Sequence, residues 1–74
     1  MARILHVLKG DHTVEAAAVI APQAADGDRI TVALLAGADA PVLPVGVTVH
    51  RVPDDTTYER LLEMIFEADT VVTW

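Results

Sequence analysis

Ile4-Leu5-His6-Val7-Leu8, with Lys9-Gly10-Asp11-His12-Thr13 directly behind it, is the stretch on which the fold turns. A short, almost unbroken apolar run that stops at a glycine reads as a strand buried on both faces. That is the habit of a central strand in a parallel sheet. The loop after such a strand lies at the carboxyl edge, where open α/β sheets take their ligands. The strand is expected over residues 3–9, with a helix starting near Thr13 and Asp11 or Thr13 as its N-cap. Val14, Ala17, Ala18 and Ala21 fall on one side at helical spacing and form the expected packing face. Pro22 lacks a backbone donor and should stop or kink this helix, with residual turns to Ala25. Asp26-Gly27-Asp28 reads as a turn.

Working outward, residues 29–36 form a second apolar strand, also central, which Gly37 ends. The link over 38–46 holds Pro41, Pro44 and Gly46 and is too short and proline-rich for an ordinary crossover helix. A third strand over 45–52 alternates, with Val47 and Val49 on one face and Thr48 and His50 on the other, as on a less buried edge. Pro53-Asp54-Asp55 closes it. Thr56-Thr57-Tyr58-Glu59 reads as a capping box led by the Thr56 hydroxyl. In the helix behind it Tyr58, Leu61, Leu62, Ile65 and Phe66 form the apolar side, and Asp55, Glu59, Glu63 and Glu67 the acidic one. Val71-Val72-Thr73-Trp74 is a short last strand.

The elements therefore run β-α-β-β-α-β. A right-handed crossover sets strand two beside strand one. If strand three lies outside strand two, the second helix carries the chain back to strand four on the far side of strand one. The expected fold is one small α/β domain over 1–74, with a mainly parallel four-stranded sheet in the order 3-2-1-4 and helices on both faces. The winding reverses between strands one and four, so the loop 10–13 sits at a topological switch point.

Composition bounds the function. Of 74 residues, 53% are hydrophobic, more than a core of this size can hide, which points to burial against a partner chain. The net charge of −6 gives no electrostatic footprint for nucleic acid. No apolar run is long enough to span a bilayer, and the start runs straight into a strand, so neither membrane nor signal peptide is expected. The chain has no cysteine, which excludes disulfides, thiolate metal sites and sulfur chemistry on a side-chain thiol of its own. All of this fits the cytoplasm.

Three features together resemble the DsrE/DsrF/DsrH superfamily, in its DsrH/TusB-like branch. They are Ile4-Leu5-His6-Val7-Leu8, Gly27-Asp28-Arg29-Ile30 leading into strand two, and Tyr58-Glu59-Arg60-Leu61-Leu62 followed by the closing Val71-Val72-Thr73-Trp74. The resemblance implies a small α/β/α domain in a hexameric sulfur-relay complex that passes persulfide sulfur for tRNA 2-thiouridine synthesis or for sulfur oxidation. The chain departs from the pattern in a shortened region between strands two and three, and in having no cysteine where some relatives carry one. The expectation is thus a non-catalytic subunit or scaffold, in a homo-oligomer or with DsrE/DsrF-like subunits, without a cofactor of its own. The alternative is a small-molecule or anion-binding module built on the loop after strand one.

Gly10, Asp11, His12, Thr13 and Trp74 are the ligand or interface candidates. Backbone amides at a helix start could receive an anion, although one glycine makes no phosphate-binding fingerprint and a plain capped loop explains the same residues. Asp11 and His12 could move protons, but no nucleophile accompanies them, so catalysis by this chain alone is not expected. His6, His12 and His50 lack metal-ligand spacing; His6 in mid-strand reads as a hydrogen-bonded core residue. Trp74 either plugs the core edge or anchors an interface.

Overall fold

The structure is a computed structural model that describes residues 2–35, 38–39 and 41–74. Its elements are β1 (Arg3–Leu8), α1 (Thr13–Ala25), β2 (Arg29–Leu34), β3 (Thr48–Arg51), α2 (Tyr58–Glu67) and β4 (Thr70–Thr73). The strands form one sheet in the order β3-β2-β1-β4, parallel throughout. This is the order expected from the sequence, with β3 at an edge.

Side chains alternate across β1, and each half of the alternation finds its own helix. Leu5 and Val7 join Ala33, Val52, Leu61 and Met64 under α2. Leu8 joins Ala16, Ile20, Ile30, Val32 and Leu34 under α1. The helices therefore cover opposite faces, and β1 is buried from Ile4 to Leu8. Val47 and Val49 pack on the α1 side, as their alternation predicts. No helix among the described residues is long and apolar enough to cross a membrane.

Several local expectations need correction. The buried residues of α1 are Ala16 and Ile20, whereas Val14 is exposed, as are Ala18 and Ala21. Val14 and Ile20 lie six residues apart, about 120° around the helix, so one stripe does not bring both to the sheet; the larger one meets it. The N-cap of α1 is His12, with no side-chain cap bond, so neither Asp11 nor Thr13 acts as a cap. The helix runs through Pro22 to Ala25. Ala18, the residue whose carbonyl loses its donor to Pro22, is exposed, so water can replace the lost bond.

β1 stops at Leu8 and not Lys9, and β2 is assigned to Leu34; Ala36 and Gly37, expected to end that strand, lie outside the described residues. β3 is shorter than expected, because Val45 and Gly46 form a turn in which Gly46 takes φ +99°. Such a conformation suits glycine and breaks an extended run. α2 is capped by Thr57, whose hydroxyl oxygen accepts from the Arg60 amide at 3.2 Å, so the box from Thr56 to Glu59 does not form. Thr56 is instead buried, its hydroxyl 3.2 Å from His50 Nδ1. α2 meets the sheet through Leu61 and Met64, with Ile65 and Ala68 beside them, while Tyr58, Leu62 and Phe66 stay exposed.

Candidate functional site

Four of the expected site residues, 10–13, follow β1 at the carboxyl edge of the sheet. Gly10, Asp11 and His12 are exposed and Thr13 is half-buried. Gly10 takes φ +105°, and a Cβ there would lie 3.6 Å from the Ala38 backbone. Its place is explained by the left-handed turn between β1 and α1. His12 Nδ1 lies 3.8 Å from Glu15 within the first helical turn, and both side chains are solvated. No group of three metal-capable side chains occurs among the described residues.

Trp74, just past β4, turns inward. Its amide donates to the Val7 carbonyl at 3.0 Å, and its ring joins the core under α1. The indole Nε1–H donates to His6 Nδ1 at 2.9 Å, and the two rings stack with centroids 6.1 Å apart. Because indole nitrogen can only donate, Nδ1 of His6 must be the bare nitrogen. The proton then sits on Nε2, which donates to Gln23 Oε1 at 2.7 Å. His6 has no exposed surface, and both its nitrogens are used. The trio Trp74, His6 and Gln23 is a closed hydrogen-bonded relay from β4 through β1 to α1. It has no free lone pair for a metal or a proton acceptor for a substrate.

A cavity opens at the other end of the sheet. A cleft of about 520 Å³ forms where α2 passes over the amino ends of β1 and β2 and the start of β3. Arg3, Arg29 and Arg60 line it, with Thr31, Thr48 and His50 along the β2–β3 side. None of residues 10–13 and not Trp74 is part of it. Arg60 reaches Glu67 at 3.1 Å and Glu63 at 3.5 Å. The Glu67 hydrogen bond and charge, with a smaller part from Glu63, hold the Arg60 guanidinium above its usual pKa.

Sequence reasoning missed this cleft because its residues come from four elements. The available signal was that β1 and β2 each begin with an arginine. In-register parallel pairing sets Arg3 beside Arg29 on the same face.

On the opposite flank of α2, Tyr58, Leu62 and Phe66 recur every four residues and form an exposed apolar stripe. At 100° per residue the stripe lies away from Arg60 and Glu67, on a helix that covers the Leu5 and Val7 face of the sheet. The β4 residues on that sheet face, Val71 and Thr73, are exposed as well. Against known proteins, the chain matches no protein-family model, no curated protein and no solved structure.

Proposed function

We propose that this chain is a non-catalytic subunit of a cytoplasmic sulfur-relay assembly of the DsrH/TusB-like kind, working beside cysteine-bearing DsrE/DsrF-like subunits. The observation that carries the reading is the uncovered stripe on α2, where Leu62 is 57% and Phe66 87% exposed although both stand in an otherwise folded amphipathic helix. Large apolar side chains placed in register on a regular element mark an interface more than a solvated surface. The missing thiol supports a structural role, because persulfide sulfur rides on thiolates. The chemistry of the complex would belong to its partner, and this subunit would hold that partner in place.

The test is co-expression with DsrE/DsrF-like subunits, followed by size-exclusion chromatography with light scattering. A stable complex that Leu62→Glu and Phe66→Glu dissolve is the expected result. A chain that stays monomeric at every concentration, alone and with those subunits, would refute the proposal.

A further inference from the structure

The cleft at the amino edge carries a charge pattern that the rest of the chain does not share. The protein has 11 Asp and Glu against five Lys and Arg, yet Arg3, Arg29 and Arg60 all line this one cavity. Arg3 and Arg29 are register partners on adjacent strands, so two cations rise side by side from one sheet face. Like charges directly opposite one another are destabilising unless something answers them. Among the described residues neither forms an ion pair with Asp or Glu.

The nearby carboxylates are committed elsewhere. Asp28 Oδ1 accepts from the Ala2 amide at 3.2 Å, and Asp69 Oδ2 accepts from the Arg3 amide at 2.9 Å. Glu67 is held by Arg60. Asp28 and Glu67 also line the cleft and moderate its potential, but neither forms an ion pair with Arg3 or Arg29. Leu5 and Met64 give the same cavity an apolar part.

We propose that this cleft binds a small organic oxyanion with two negative charges, a phosphate ester or a dicarboxylate, gripped by Arg3 and Arg29. Guanidinium forks match the planar or tetrahedral oxygens of such groups and bind them bidentately. The hydroxyls of Thr31 and Thr48 complete the polar side, and Leu5 and Met64 take the carbon skeleton. A cavity of about 520 Å³ lies in the range that small-molecule sites occupy. The site is independent of the apolar stripe, which sits on the other flank of α2.

The test uses the intact chain, labelled with nitrogen-15, in an NMR titration at constant ionic strength. Inorganic phosphate and malonate are the two probes, with sodium chloride as the control. Saturable shifts are expected at the Arg3 and Arg29 side-chain Nε–H groups and at the Thr31 and Thr48 amides. The probe that saturates at the lower concentration identifies the headgroup. In Arg3→Gln and in Arg29→Gln the midpoint should rise at least tenfold, while the melting temperature without anion stays the same or rises. Shifts that are linear in both probes would overturn the proposal. So would shifts centred on residues 10–13, or a midpoint unchanged by both substitutions.

Discussion

His6 shows how much one residue's surroundings decide about its chemistry. A histidine in the middle of a buried strand invites a metal-site reading, and three histidines in a small chain strengthen it. The structure gives both ring nitrogens a protein partner and so fixes the imidazole as a structural group. Its core role was legible from the strand pattern. Its partners were not, because Gln23 and Trp74 are 17 and 68 residues away. Trp74→Ala should cost about 2–4 kcal/mol, the scale of losing a large, partly buried aromatic. Trp74→Phe keeps a ring but leaves Nδ1 of His6 without a donor, for about 1–2 kcal/mol. His12→Ala, at a solvated position, should stay within about 0.5 kcal/mol. Urea unfolding of the three variants checks this ranking, and a His12 effect larger than that of Trp74 would reverse it. The same measurement on Gly10→Ala should show a loss of about 1–2 kcal/mol, because alanine is strained at φ +105°.

Among the elements, the two helices were legible to different depths. Both start close to where the sequence puts them, although neither Asp11 nor Thr13 caps α1, and Thr57 rather than Thr56 caps α2. The buried face of α1 was not found, because alanine occupies almost every side of that helix and gives no strong periodicity. Only the competition between Val14 and Ile20, which needs the sheet for its outcome, decides it. For α2 the apolar side was read as Tyr58, Leu61, Leu62, Ile65 and Phe66, without Met64. The sheet takes Leu61 and Met64 and leaves Tyr58, Leu62 and Phe66 open. Pro22→Ala should stabilise α1 by about 1–3 kcal/mol, restoring the bond to the Ala18 carbonyl in a helix that already runs past this position. Its melting temperature should rise; a fall would mean that the proline has a role beyond the helix. Thr57→Ala should cost about 1 kcal/mol through its cap, whereas Glu59→Ala should be nearly silent. Far-ultraviolet circular dichroism during thermal unfolding separates the two.

For the whole molecule, the sheet order was legible because right-handed crossovers and the contrast between apolar and alternating strands leave few arrangements. The cleft was not, since it depends on where α2 crosses the sheet rather than on any local pattern. If the chain carries no sulfur of its own, incubation with a cysteine desulfurase and substrate should leave the intact mass unchanged. An added sulfur mass on the chain would contradict that. The parallel sheet has a further consequence, for the order in which the molecule assembles. No two neighbouring strands can zip up as a hairpin; each pairing waits for a distant segment. β1 finds β2 across about 26 residues, as the bond from Ala2 to Asp28 measures, but meets β4 only across about 66, as Arg3 and Asp69 do. Closing the longer loop has the higher entropic cost, so β1 should pair with β2 before β4 docks. In pulse-labelled hydrogen exchange, the amides of Ile30 to Leu34 should gain protection before those of Thr70 to Thr73. The indole–imidazole bond would then be among the final contacts made as the chain folds, and among the first lost as it opens.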